Sequence, residues 1–412
     1  MTINKDTTEE KKDLDYEFQL STKTYSNCSK IVVGYYTEWR YYALPPSKLP
    51  FDKLTHINYA FGRIDPNTFG ITGFSSNILS DVANYAHKNN VKILLSIGGW
   101  SGSEFFTKMT SSIVNMKAFV QSVVETVNYY ELDGIDIDWE YPGREGYNNK
   151  LVQTNDTPNY LILLKKLRDA LGDEKLITGA VSSTPFQQNG VVLNDLSEFA
   201  FYFNFINIMA YDFSGNWSYL TSHHESFDIP EKGHRFSFKN SIQNWVNKGF
   251  PPEKIVVGVG AYGRSWIVNS KINFGMFQTF NKNVIDREND SNSLWKDYCH
   301  QTELIYSSTY RYKYIYKYIL SMEDSRNVKA DQESNSIIQY DCWLRVWDST
   351  AQAPYLFNTK FNNVISYDDP QSLKEKSKYI LENGFAGVMM WELDGDTEDW
   401  ILINTMNDVL CQ

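Results

Sequence analysis

The residues best suited to chemistry lie in one short run, Asp133-Gly134-Ile135-Asp136-Ile137-Asp138-Trp139-Glu140. In an extended strand successive side chains point to opposite faces, so Asp136, Asp138 and Glu140 share one face and Ile135, Ile137 and Trp139 the other. The acids then stack at intervals of about 6–7 Å. With the apolar face packed on helices, the acids point inward, where loss of water and mutual repulsion raise at least one carboxyl pKa. A carboxylic acid kept protonated near neutral pH is the equipment of general acid catalysis. An acidic rim facing solvent would need neither strict alternation nor an apolar opposite face. A calcium-binding loop is excluded, because the order of acids and glycine does not match it.

Such a strand needs neighbours to hold it. Short apolar, β-branched or aromatic runs recur at 31–35, 55–61, 92–97, 134–139, 176–181, 205–211, 255–260 and 387–391, and are predicted strands. Amphipathic segments lie between them, among them 78–88, 114–129, 159–171, 241–248 and 372–382, with apolar residues at i, i+3, i+4 spacing. Eight βα units predict an α/β fold, a TIM (β/α)8 barrel, whose catalytic residues stand at the C-terminal strand ends. The step from the seventh strand to the eighth is far too long for a βα connection. It predicts a small inserted α+β subdomain at 267–355 between strand seven and its helix, within a barrel spanning 31–412.

The remaining composition is that of a folded chain, soluble or peripheral to a membrane. Of 412 residues, 42% are apolar and 22% charged, which excludes fibrous and mostly disordered classes. Thirty-nine basic against fifty acidic residues give a net charge of −11 with no basic block, arguing against nucleic acid and anionic membrane as partners. No apolar run is long enough to span a bilayer. Residues 1–30 mix Lys, Asp and Glu without the apolar stretch of a secretory signal and are predicted to be a disordered tail. Cys28, Cys299, Cys342 and Cys411 form neither a disulfide framework nor a zinc pattern, and spacing leaves a Cys299–Cys342 pair open. The sequons at Asn27, Asn155, Asn216 and Asn289 do not settle the compartment.

Asp133 to Glu140 resembles the DxxDxDxE signature of family 18 glycoside hydrolases, the chitinases. Ser96-Ile97-Gly98-Gly99-Trp100 resembles the family's SxGG segment on strand three, and Met209-Ala210-Tyr211-Asp212 its MxYD segment ending strand six. Met389-Met390-Trp391 is similar to the strand-eight segment that carries the tryptophan under the substrate. Gly34-Tyr35-Tyr36, Tyr59-Ala60-Phe61 and Tyr262-Gly263-Arg264-Ser265 are similar to the ends of strands one, two and seven. The stretch from Trp347-Asp348 through Pro354-Tyr355 to Ser366-Tyr367-Asp368-Asp369-Pro370 resembles the exit from the family's insertion subdomain. The resemblance runs from about Lys30 to the C-terminus.

The resemblance implies a retaining mechanism in which the substrate's 2-acetamido carbonyl attacks the anomeric carbon, without a protein nucleophile. It implies Glu140 as general acid and then base, Asp138 as the group that orients the acetamide, and Asp136 as the group that sets the protonation and rotamer of Asp138. Tyr211 would donate its hydroxyl to the acetamido oxygen. Trp391 offers a flat face for a sugar ring, and Tyr35, Phe61, Gly98, Gly99, Trp100, Tyr141, Met209, Asp212, Tyr262 and Arg264 complete the expected binding set, with Trp39 extending the platform. No cofactor or metal is implied. The expected partner is chitin or a chitooligosaccharide, bound by a monomer in a deep groove favouring attack at chain ends. The family implies an extracellular protein, but no signal peptide is readable in residues 1–30, which leaves a cytoplasmic pool open.

Two features stand outside the resemblance. Residues 310–318 alternate Tyr with Lys, Arg and Ile, predicting a strand with one face of five tyrosines packed inside the subdomain. His223-His224 has no third ligand near it in sequence and is read as a solvated loop. Two other activities remain open on the same barrel. One is a carbohydrate-binding lectin, which the presence of Glu140 disfavours. The other is an endo-β-N-acetylglucosaminidase acting on N-glycans, which the large insertion disfavours by family analogy only.

Overall fold

A computed structural model describes residues 29–147, 153–284, 299, 306–321, 325–331 and 335–411. Cys28, the sequons at Asn27 and Asn289, and nearly all of the expected N-terminal tail lie outside them.

Eight parallel strands close a barrel: Ile31–Thr37, His56–Ile64, Lys92–Gly98, Gly134–Asp138, Leu176–Ser182, Phe205–Met209, Ile255–Gly260 and Gly387–Trp391. Each pairs with its sequence neighbours, and the eighth pairs with both the seventh and the first. The fold is the expected (β/α)8 barrel. Outward residues of the fourth strand, Ile135 and Ile137, join the main core with Trp139. Trp139 stacks on Phe106 with ring centres 5.1 Å apart and planes 10° from parallel. Serines start three of the surrounding helices: Ser75, Ser112 and Ser237 each accept a backbone N–H in the first turn of Ser76–Lys88, Ile113–Tyr129 and Phe238–Val246. Asp369 and Ser372 form a capping box on Pro370–Glu382. No helix among the described residues is long and apolar enough to cross a membrane.

The barrel interior is divided. Val33, Tyr35, Ala60, Phe205, Val256 and Met389 form a small apolar cluster, while Asn58, Ser96, Asp136, Thr178 and Asn207 are fully buried polar residues on the strands. Register explains part of this: Ser96 and Thr178 stand directly beside Asp136, one on each neighbouring strand.

The inserted sheet is wider than 267–355. Its seven strands run in the spatial order Thr309–Arg311, Tyr262–Ile267, Asn363–Tyr367, Ala353–Asn358, Trp343–Asp348, Asn335–Tyr340, Ser325–Asp331. The sheet therefore opens almost at the end of barrel strand seven, because Tyr262–Ile267 pairs antiparallel with Asn363–Tyr367. Trp266, Val268, Met276, Phe280, Val346, Tyr355 and Val364 are among its own core residues. Cys299 and Cys342 are disulfide-bonded.

The expected tyrosine strand is a correction. Only Thr309–Arg311 is extended; Tyr312–Ile315 and Tyr316–Leu320 are helical. Tyr312, Ile315, Tyr316 and Ile319 fall at i, i+3, i+4, i+7, a helical face that outweighs the period-two alternation of tyrosines. Tyr312 and Tyr316 accordingly meet at 6.2 Å and Tyr314 and Tyr318 at 6.4 Å, pairs that a strand would separate.

Candidate active site

Asp136 lies on the floor of the site and is fully buried. It accepts hydrogen bonds from Tyr35 Oη (2.7 Å), Ser96 Oγ (2.8 Å), Thr178 Oγ1 (2.6 Å) and Asn207 Nδ2 (3.3 Å). Burial still raises its pKa against these four donors. Tyr35 thus reaches the site through Asp136, with its ring edge against Trp391 at 5.5 Å.

Asp138, two residues on, has the opposite surroundings. Its Oδ1 is buried and has no hydrogen-bond partner. Burial, then the charges of Glu140 and Asp136, push its pKa well above the carboxylate range. Among the described residues it is one of a small set of buried side-chain polar atoms without a protein partner.

Gly98 and Gly99 explain how strand three approaches so closely. Both have positive φ, 119° and 79°, and a Cβ on Gly98 would lie 2.1 Å from the Asp138 carbonyl oxygen. Gly99 N donates to that oxygen at 2.9 Å, and a Cβ on Gly99 would strike the Phe61 ring. These glycines shape the site by what they omit.

Strand four ends at Asp138, one residue earlier than expected, so Trp139 and Glu140 lie beyond it. Burial and then the charge of Asp212 raise the Glu140 pKa to about 7, against a hydrogen bond from Tyr141 and the charge of Arg144. The Arg144 guanidinium lies 4.0 Å over the Tyr141 ring and donates to Ser182 Oγ at 2.7 Å.

Strand six ends at Met209, two residues short of expectation, because Ala210 N turns back to Ile208 O. Tyr211 nevertheless packs with Met209, Phe61 and Trp391 against the inner apolar cluster. Burial, with Asp138 and Glu140 nearby, raises its phenol pKa well above 10, so the hydroxyl stays a donor. Asp212 has φ +58°. It is gripped by Arg264 through Nε (2.8 Å) and Nη2 (2.6 Å) and by Tyr262 Oη (2.7 Å). Burial would raise its pKa, but the Arg264 charge and these bonds hold it below the ordinary value.

Trp391 stacks on Phe61 with centres 5.6 Å apart and planes 19° from parallel, and Trp39 continues the row at 6.2 Å from Phe61. Trp39, Trp100 and Trp217 are more than half exposed. Trp100 meets Tyr147 edge-on at 6.2 Å, and the Arg264 guanidinium lies 5.2 Å over Trp217. Non-proline cis peptides at Ala60–Phe61, Glu140–Tyr141 and Trp391–Glu392 surround the same mouth.

The reading of His223-His224 as a solvated loop is a correction: both are fully buried. His223 Nε2 lies 3.0 Å from Asp348 Oδ2, and His224 Nε2 lies 2.9 Å from Glu225 Oε1, with Nδ1 3.8 Å from Asp212. Their partners come from segments distant in sequence, which local composition does not reveal. Among the described residues no cluster of three or more His, Cys, Asp or Glu is arranged to hold a metal ion. Sequence reasoning also missed Thr178, Ser103, Arg144 and Trp217. For Thr178 the signal was there, a polar residue in an otherwise apolar strand.

A closed (β/α)8 barrel with an inserted sheet and this mouth of acids and aromatics defines a glycoside hydrolase. The chain belongs to the glycosyl hydrolases family 18, whose model matches residues 31–396. It is similar to a chitinase-like effector of Moniliophthora roreri, 30% identical over 403 residues that cover 94% of this chain and 95% of the relative. Chitinase A1 of Niallia circulans is 27% identical over 432 residues, 89% of this chain and 56% of that protein. Among solved structures, a chitinase from Rhizomucor miehei superposes with a TM-score of 0.79 at 29% identity, over 92% of this chain and 100% of the other.

Proposed function

We propose that this glycoside hydrolase is a chitinase, cleaving β-1,4-linked N-acetylglucosamine chains with retention through a substrate-assisted step. The reading rests on one observation above all, the buried and unpartnered Asp138 Oδ1 beside a Glu140 whose pKa is raised to about 7. Asp138 accepts the substrate's acetamido N–H and turns the acetamido carbonyl toward the anomeric carbon. Glu140 gives its proton to the glycosidic oxygen as that bond breaks, and the acetamido oxygen forms the new bond to the anomeric carbon. The leaving sugar departs as an alcohol, and an oxazolinium remains. Ionised Glu140 then takes a proton from the attacking water, which opens the ring and returns the acid to its starting state. Tyr211 donates to the acetamido oxygen and holds it in line with the anomeric carbon. Trp391 supports the sugar ring, and Asp212 stays an acceptor because Arg264 keeps it ionised.

A second reading is carbohydrate binding without hydrolysis, since the Moniliophthora roreri relative is named a chitinase-like effector. A time course with chitotetraose separates the two. Wild type is expected to cleave with β-anomer released first, and Glu140→Gln to bind without cleaving. Binding without cleavage by both proteins establishes the second reading, and initial release of the α-anomer refutes retention.

A further inference from the structure

Glu140 lies beyond the last paired residue of strand four, so the sheet does not hold its backbone. One side chain does. Glu140 N donates to Ser103 Oγ at 2.8 Å, and the same hydroxyl lies 2.9 Å from Gly99 O and 3.1 Å from Asp138 O. It therefore accepts from the amide of one acid and shares its proton between the carbonyl of the other acid and the glycine turn. Ser103 is almost fully buried in the turn Ser101–Phe105, and the following helix Phe106–Thr110 places Phe106 flat against Trp139, the residue between the two acids. The chain from Asp138 to Glu140 is thus held at three successive residues by one turn-and-helix unit.

We propose that Ser103 is a positioning residue for Glu140, fixing the backbone from which this carboxyl reaches the glycosidic oxygen. The inference rests on the reading of Glu140 as the general acid. Alanine offers the Glu140 amide no acceptor, so that amide must turn toward water and carry its carboxyl with it. A better hydrated carboxyl gives up its proton at lower pH. Substrate contacts made by Trp391, Asp212 and Arg264 are untouched.

The test compares wild type, Ser103→Ala, Ser103→Thr and Glu140→Gln on chitotetraose, measuring kcat, KM and the pH profile well below each melting temperature. Ser103→Ala is expected to lose about tenfold or more in kcat with KM within about twofold, as misplacement of a reacting group by a fraction of an ångström implies. Its alkaline limb is expected to move to lower pH, and Ser103→Thr, which keeps a hydroxyl, to move back toward wild type. A wild-type kcat, or a fall in kcat with the alkaline limb in place, overturns the proposal. Should Ser103→Thr not fold, the alkaline limb of Ser103→Ala decides alone. Activity in Glu140→Gln would refute the reading of the acid itself, whereas an inactive Glu140→Gln beside a normal Ser103→Ala refutes only the role of Ser103.

Discussion

Glu140→Gln is expected to stabilise the fold in alkaline solution relative to its effect in acid. Burial, and then the Asp212 charge, raise the Glu140 carboxyl from 4.5 to about 7. In the unfolded chain it titrates near its ordinary value. Between the two, the folded protein keeps a proton that the unfolded chain has lost, so stability falls as pH rises through that window. At about 1.4 kcal/mol per pH unit, the full difference corresponds to about 3 kcal/mol. The carboxyl stands at the mouth of the barrel and keeps some contact with water, so about 2 kcal/mol is the working figure. Glutamine has nothing to titrate and escapes this penalty. Asp138 adds in the same direction, because burial first and Glu140 second raise its pKa, and the substitution removes the second cause. The assay is urea unfolding of both proteins at pH 4, 6 and 8. The difference between variant and wild type is expected to rise by about 2 kcal/mol from pH 4 to pH 8, whatever constant offset the amide introduces. A difference that does not change with pH, or that moves the other way, refutes the reasoning that burial holds this acid protonated.

Tyr211→Phe keeps the buried ring and removes a hydroxyl that stays protonated at every working pH. On the proposed mechanism, loss of the donor that orients the attacking acetamido oxygen predicts a fall in kcat on the order of a hundredfold. An unchanged kcat on chitotetraose would show that the hydroxyl does not act on the reacting atoms. Cys299 and Cys342 are 43 residues apart in sequence. Closing a loop of that length stabilises by about 4 kcal/mol on chain-entropy grounds. The double substitution Cys299→Ser with Cys342→Ser is therefore expected to lower the melting temperature, and equal melting would contradict that account.

The fourth strand was legible because a period of two leaves no freedom once one face is acidic and the other apolar. Ile135 and Ile137 had to pack outward, and with Trp139 they do. The partners of Asp136 were less legible: Ser96 and Thr178 flank it only through strand register, which no single strand's sequence carries. Residues 310–318 failed for a different reason. Tyrosine at every second position suggests a strand, but Ile315 and Ile319 stand four apart and give the helix its buried stripe. The histidine pair failed because burial there depends on Asp348, Tyr262 and Asp212 converging from three separate segments. Ser103 gave no sequence signal, since a serine after a glycine turn is ordinary until the neighbouring strand ends beside it.

The barrel places four carboxyl groups between its floor and its mouth and distinguishes them by their surroundings. Asp136 has four donors and no cation, so burial prevails only in part and the group is locked in one orientation. Asp138 has a buried oxygen with no donor and two acidic neighbours, so it favours the proton. Glu140, at the edge of water and opposed by Arg144, sits near pH 7, where it can give a proton and take one back. Asp212 carries its own guanidinium and remains charged. The chemistry therefore resides in which neighbours the strand ends supply, and a test that alters one neighbour while sparing the acids, as at Ser103, probes that assignment more directly than deleting an acid.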